Sequence, residues 1–226
     1  MFPVHCTRCK QPLGQDETVC PKCGSTERTV ELEARGIVTA SATVQMTFGR
    51  INEIAEKASI TVCSLIVPEQ KTAEGILIKS VSATWKEIVS HLGSDWSIAH
   101  TIPSDKWEEL VAGAFKQDNY DEVTLTPRSG DHGRDVIAIK RGVGCVKIIG
   151  SVKAYAPGSL VPYDDVRALL GVMSGELNVS KGIVTTTSDF PPKISNDPFI
   201  KPFLPTRLEL INGAALREWL ENLSRR

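Results

Sequence analysis

Four cysteines stand in the first 23 residues as two pairs, Cys6-Thr-Arg-Cys9 and Cys20-Pro-Lys-Cys23, with ten residues between the pairs. No other feature limits the fold of this chain as strongly. Two CxxC knuckles supply four thiolates to one tetrahedral Zn²⁺. A segment this short cannot bury enough apolar surface to fold by itself, and a metal makes up the difference. Four ligands fill the coordination shell, so the zinc is expected to be structural and not catalytic. A disulfide framework would need a secretory context, and the opening MFPVHCTRCK has no apolar signal core. A redox dithiol is the reading for a lone CxxC, and the second knuckle argues against it. His5 is read as a neighbour of the site, not a ligand. Residues 1–28 are therefore expected to form a zinc ribbon that binds nucleic acid or protein. Cys63 and Cys145 are isolated, and each is read as a small buried hydrophobe.

The rest of the chain has the composition of a globular protein. Of 226 residues, 41% are hydrophobic and 23% charged, which argues against a disordered or fibrous chain. No apolar run approaches the roughly 18 residues of a membrane span, and a cytoplasmic location is expected. The net charge of −1 excludes a uniformly basic nucleic-acid binder. A local basic site remains open, because residues 128–153 hold six basic residues against two acidic ones.

Residues 29–102 are read as a mixed α+β middle segment. TVELEARGIVTASATVQMTF, ITVCSLIVP and GILIKSV are strand-like, and GRINEIAEKA has the pattern of a short helix. A helix is expected near residues 84–92, with Thr84 and Glu87 as a capping box. Pro103 marks the expected boundary with residues 103–226. There, Trp107, Leu110, Val111, Ala114 and Phe115 fall at helical spacing, with Ser104 or Asp105 as cap. EVTLTP, RDVIAIK and VKIIGSVKAY follow as three strands. Pro162 then opens a helix, SKGIVTTTS is a fourth strand, and residues 207–210 are a fifth. Asn212 caps a last helix whose apolar face is Leu216, Trp219 and Leu220. The order implies an α/β fold with an αβββαβ core and a mixed sheet.

Chemistry concentrates at one hairpin. Arg141, Gly142, Val143 and Gly144 form a turn-like break. Folding about it sets Ile137 opposite Ile149 and Asp135 opposite Ser151. Strand alternation puts Ser151 and Lys153 on one face, with Lys153 the diagonal neighbour of Asp135. A carboxylate can hold Mg²⁺, and a lysine beside it can orient water and offset charge at a phosphodiester. Ser151 is a poor Mg²⁺ ligand, so Glu108 of the preceding helix or Asp131 of the loop is a candidate to complete the site. The plain alternatives are a surface ion pair for Asp135 and Lys153, a capping role for Glu108 and a turn role for Asp131. His132 reads as a loop histidine. Thr185, Thr186 and Thr187 are either phosphate contacts or ordinary strand residues. Trp85, Trp96, Trp107 and Trp219 are read as core.

SGDHGRDVIAIK followed by GSVKAY resembles the Mrr-type restriction endonuclease domain of the PD-(D/E)XK nuclease superfamily. WEELVAGAF, DDVRALLGVM, KGIVTTTSDF and LELINGAALREWL extend the likeness over about residues 103–222. The resemblance implies a restriction-endonuclease-like fold, with Asp135 as the Mg²⁺-binding acid and Lys153 as the catalytic lysine. Ser151 stands where the family usually has Gln or Glu, and Arg134 where the superfamily's name has proline. Glu108 takes the first helix's usual acidic position. The implied function is a Mg²⁺-dependent DNA endonuclease, with DNA as partner, a homodimer favoured for duplex cleavage, and defence against foreign DNA as the role. Two other readings stay open. One is a nuclease fold that has lost chemistry at Ser151 and binds DNA; the other is a zinc-ribbon adaptor that binds protein.

Overall fold

The computed structural model describes residues 4–6, 8–13, 20–24, 28–30, 64–127, 133–176 and 178–225. The expectations placed on residues 31–63, Cys63 included, and on Asp131 and His132 lie outside the described residues. The chain divides into two compact units, Met1–Cys63 and Ser64–Arg226.

The first unit carries a small antiparallel sheet of β1 (Val4–Cys6), β2 (Pro12–Leu13) and β3 (Arg28–Val30), in the order β2-β1-β3. Its two knuckles are built alike. The Lys10 N–H donates to the Cys6 carbonyl at 2.9 Å, and the Gly24 N–H to the Cys20 carbonyl at 2.9 Å. Each turn then closes on a left-handed residue, Lys10 at φ 60° and Gly24 at φ 71°. Glycine adopts that conformation freely, whereas at Lys10 it costs about 1–2 kcal/mol.

The second unit is a seven-stranded sheet with helices on both faces. Its strands are β4 (Ile66–Lys71), β5 (Ile76–Val81), β6 (Glu122–Leu125), β7 (Val136–Lys140), β8 (Val146–Lys153), β9 (Lys181–Thr186) and β10 (Leu208–Ile211), in spatial order β10-β9-β8-β7-β6-β5-β4. β8, β9 and β10 run parallel and the other pairs are antiparallel, so the sheet is mixed. Its helices are α1 (Ala83–Ser94), α2 (Ser104–Gln117), α3 (Tyr163–Gly175) and α4 (Gly213–Ser224). The run α2-β6-β7-β8-α3-β9 is the αβββαβ core expected from the sequence.

The sheet crosses the boundary expected at Pro103. β5 pairs with β6 at Ile76–Leu125 and Leu77–Thr124, and residues 64–102 belong to the unit Ser64–Arg226. Pro103 is the N-cap of α2. Gly75 makes the β5–β6 junction possible. It sits at φ 145°, and a Cβ there would lie 2.1 Å from the Leu125 carbonyl oxygen.

Sheet alternation sorts the core. Gly150 of β8 faces Phe115 of α2, 3.8 Å from where its Cβ would be. Ile137, Ile149 and Val184 turn to the other face and pack with Val166, Leu169, Leu170 and Met173 of α3. α1 meets α2 where Gly113 admits Trp85, whose indole N–H donates to the Leu110 carbonyl at 3.0 Å. Trp85 and Trp107 are 1% and 0% exposed, so their core reading holds.

Two caps differ from expectation. α1 is capped by Ser82, whose hydroxyl accepts from the Trp85 N–H at 3.2 Å, and Thr84 lies inside the first turn. α2 has no side-chain cap, because Pro103 holds that position. Asn212 caps α4 as expected, accepting from the Ala215 N–H at 3.0 Å. Among the described residues, no helix is long and apolar enough to cross a membrane.

Candidate active site and metal centre

The four thiols of the ribbon converge. The sulfurs of Cys6, Cys9, Cys20 and Cys23 all lie within 4.8 Å of one another. Cys6 and Cys23 approach to 3.4 Å, and Cys9 and Cys20 to 3.5 Å. Those separations are far beyond a disulfide bond, and all four cysteines are free. Zn–S bonds of about 2.3 Å at tetrahedral angles place sulfurs about 3.8 Å apart, so the cluster has the size zinc requires. The backbone N–H of Cys9 is the largest influence on Cys6. With hydrogen bonds from Cys23, Arg8 and the Cys9 thiol, it lowers the Cys6 thiol to about 6 against the opposing effect of burial. A thiolate at that position is what a metal needs. Cys145 does not follow its expected reading: it is exposed, because the β7–β8 turn carries it into solvent.

At the hairpin, the register agrees with the sequence expectation. Ile137 pairs with Ile149 and Val136 with Gly150, which sets Asp135 beside Ser151. The Asp135 N–H donates to the Gly150 carbonyl at 2.8 Å. Its carboxylate Oδ2 then accepts the Val152 N–H at 2.6 Å. The acid is thus clamped to the strand that carries Ser151 and Lys153. Ser151 is 1% exposed, while Asp135 and Lys153 are half-buried. By alternation Ser151 and Lys153 share the α3 face with Ile149. Glu108 is half-buried on α2, the helix that packs on the Gly150 side of the sheet. Asp131 lies outside the described residues.

Beyond Lys153 the chain is braced by residues that sequence reading missed. The Lys153 carbonyl accepts the Thr187 N–H at 3.2 Å, and the Tyr155 carbonyl accepts the Thr187 hydroxyl at 2.8 Å. His100 Nδ1 lies 3.1 Å from the same carbonyl, so this nitrogen carries the proton. The Tyr155 hydroxyl donates to Asp165 of α3 at 2.7 Å. Burial, then that hydrogen bond and the Asp165 charge, push the Tyr155 hydroxyl up to about 12. Thr185 and Thr186 are 1% and 0% exposed. Their hydroxyls meet the Ser151 carbonyl and the Ser188 N–H, so they brace the strand ends and do not present a phosphate contact. No local pattern announces this network, because it joins segments up to 55 residues apart in sequence.

The basic run of residues 128–153 is largely compensated. Arg134 pairs with Glu176, Arg141 with Glu122, and Lys147 with both Glu74 and Glu176. Lys140 lies 5.4 Å from the Tyr120 ring centroid. Lys153 has no ion pair among the described residues. Among the described residues, Lys140 and Lys153 are thus the basic side chains of this run without a carboxylate partner.

Comparison with known proteins adds the family. No curated protein matches the chain. Two solved restriction endonucleases are similar in structure at low identity. "MspJI Restriction Endonuclease in Complex with 27-mer Oligonucleotide" shares 17% identity at a TM-score of 0.39, over 63% of this chain and 34% of that one. "DNA modification-dependent restriction endonuclease AspBHI" shares 16% at a TM-score of 0.37, over 72% of this chain and 44% of that one. The chain thus spans less than half the length of either. The family model of the Mrr catalytic domain, described as restriction endonuclease, matches residues 99–220. That match covers more than half of the sequence and includes α2, the β6-β7-β8 hairpin strands, α3 and β9, and on it the chain belongs to the Mrr-type restriction endonuclease family.

Proposed function

We propose that the protein is a Mg²⁺-dependent DNA endonuclease, with Asp135 as metal-binding acid and Lys153 as the residue that assists the attacking water. The observation that carries this reading is the clamp of the Asp135 carboxylate on the Val152 N–H, one residue before Lys153, within the family's matched span. Mg²⁺ prefers oxygen, keeps several waters and is commonly held by one or two carboxylates plus substrate phosphate. Asp135 supplies one such carboxylate, and Glu108 and Asp131 are the candidates for a second. When bound, the metal polarises the phosphodiester and acidifies its water.

The chain's own residues do the remaining work. Asp135 is held at a fixed angle by Val152, so little reorganisation is needed on binding. The Lys153 ammonium, without an ion pair among the described residues, is available to a phosphate oxygen and to the attacking water. Thr187, Tyr155 and His100 fix the chain just beyond it. Ser151 is buried beneath the pair and contributes packing and a strand bond rather than a ligand. Residues 1–28 form the zinc-bearing module, and the zinc is structural. Cleavage of both strands calls for two copies of the site, hence a homodimer, and the role is defence against foreign DNA in the cytoplasm.

The test is incubation with supercoiled plasmid, methylated and unmethylated, with Mg²⁺ or without added divalent metal. Nicking or linearisation in Mg²⁺ alone is expected. Intact plasmid under all four conditions, with folded and zinc-loaded protein that still shifts DNA in a gel, would replace this reading with the DNA-binding module.

A further inference from the structure

Arg134 stands immediately before Asp135, and its backbone is fixed. Its carbonyl accepts the Thr126 hydroxyl at 2.5 Å, and the Asp135 carbonyl accepts the Thr126 N–H at 3.1 Å. Continuing the β7–β8 register past Val136–Gly150 sets Asp135 beside Ser151 and Arg134 beside Val152, the residue before Lys153. The Arg134 side chain reaches the α3 side of the sheet, because its partner there is Glu176, the C-cap of α3. Ser151 and Lys153 face that same side. Arg134 is thus a second cation on the face that carries the acid–lysine pair.

Its guanidinium is only partly used. Glu176 gives Oε1 to Nη1 of Arg134 and Oε2 to Lys147, the latter at 3.3 Å. A carboxylate divided between two cations does not take the arginine as a two-bond fork. Arg134 Nε is left buried with no hydrogen-bond partner among the described residues, which is an unfavourable state for a donor. The side chain is 15% exposed, so water makes up little of that loss. Departure of Arg134 would not strand Glu176, because Lys147 stays beside it and its own 26% exposure admits water. Departure of Lys147 would instead leave Glu74, 3.5 Å from it, without its cation. Arg134 is therefore the cation of this network that can be released at least cost. A phosphodiester offers two non-bridging oxygens that can take Nε and Nη of one arginine together.

We infer that Arg134 binds the DNA backbone: when the complex forms, its guanidinium leaves Glu176 for a phosphate beside the one that is cut, and Lys147 keeps Glu176 neutral. The inference rests on the nuclease reading and adds a substrate contact to that same site. Opposite effects follow for the two partners. Removing Arg134 weakens DNA binding, and removing the Glu176 charge strengthens it. An ion pair that only held the fold would give no gain in either case.

The experiment measures binding of the full, zinc-loaded chain to a fluorescent duplex without added Mg²⁺, across a range of salt. Arg134→Ala, Arg134→Lys, Glu176→Gln and the double variant of Arg134→Ala with Glu176→Gln are compared with the unsubstituted protein, and melting curves check each fold. Arg134→Ala is expected to weaken binding and to make the slope of log affinity against log salt shallower by about 0.9, the share of one phosphate contact. Arg134→Lys keeps the charge and should keep the slope. Glu176→Gln should bind about two- to fivefold more tightly, the size of the ion pair it removes, and should gain nothing once Arg134 is replaced by alanine. An unchanged slope in Arg134→Ala, with an unsubstituted chain that cuts plasmid in Mg²⁺, overturns the contact and leaves the nuclease reading standing. A gain from Glu176→Gln that persists without Arg134 belongs to Lys147 and overturns the contact likewise. If Arg134→Ala fails to fold, Glu176→Gln decides, and an affinity equal to or below that of the unsubstituted chain overturns the contact. An unsubstituted chain that neither binds nor cuts DNA overturns both readings.

Discussion

Replacing Asp135 separates its structural work from its chemical work. In the folded chain its carboxylate accepts the Val152 N–H at 2.6 Å. A hydrogen bond to a charged group contributes about 1.5–3 kcal/mol, and an N–H left without a partner costs about 1–3 kcal/mol. Asp135 is half-buried, so water recovers part of that loss. Asp135→Ala should then cost about 1–2 kcal/mol, which in a unit of this size lowers Tm by about 2–8 °C. Asp135→Asn keeps an oxygen in the same place and should cost less than about 1 kcal/mol. Both should abolish Mg²⁺-dependent cutting, since neither keeps the anionic oxygen. Differential scanning fluorimetry and a plasmid assay on the same preparations read the two effects. If Asp135→Ala melts like the unsubstituted chain, the clamp is not formed. If Asp135→Asn still cuts, the carboxylate does not hold the metal.

Three other substitutions or removals test separate parts of the account. Gly113→Ala puts a Cβ 2.4 Å from the Trp85 indole nitrogen, and overpacking of this kind should cost about 1–3 kcal/mol in thermal or urea unfolding. Glu109 holds Lys106 at 2.7 Å and the Leu65 N–H at 2.6 Å in a largely buried setting, so Glu109→Ala should cost about 3 kcal/mol or more and detach the start of β4 from α2, read as faster amide exchange at Leu65. Metal analysis should find one zinc per chain, lost in Cys20→Ser and on treatment with a strong chelator.

What the sequence made legible was local or periodic. The Ile137–Ile149 register followed from the turn residues Arg141 to Gly144 and strand alternation, because a hairpin's register is set by its own turn. The cysteine spacing carried the metal centre, since four sulfurs within 4.8 Å need little beyond two tight knuckles. What stayed hidden depended on distant partners. β5 reaches β6 across some 40 residues, so nothing near Gly75 signals that residues 64–102 extend the sheet. The basic run left a local basic site open from sequence, because Glu74, Glu122 and Glu176, which pair with Arg134, Arg141 and Lys147, come from other elements. Glu108 drew attention by its place in the pattern, yet its neighbour Glu109 makes the bonds to Lys106 and Leu65.

The most direct test of the nuclease account is the single-turnover cutting rate of Lys153→Ala in saturating Mg²⁺, set beside its DNA affinity without added Mg²⁺. Loss of one transition-state donor typically lowers a rate by about 10²–10³-fold. The account predicts a fall of at least that size with affinity changed by less than about tenfold. A Lys153→Ala protein that cuts at the unsubstituted rate would contradict it.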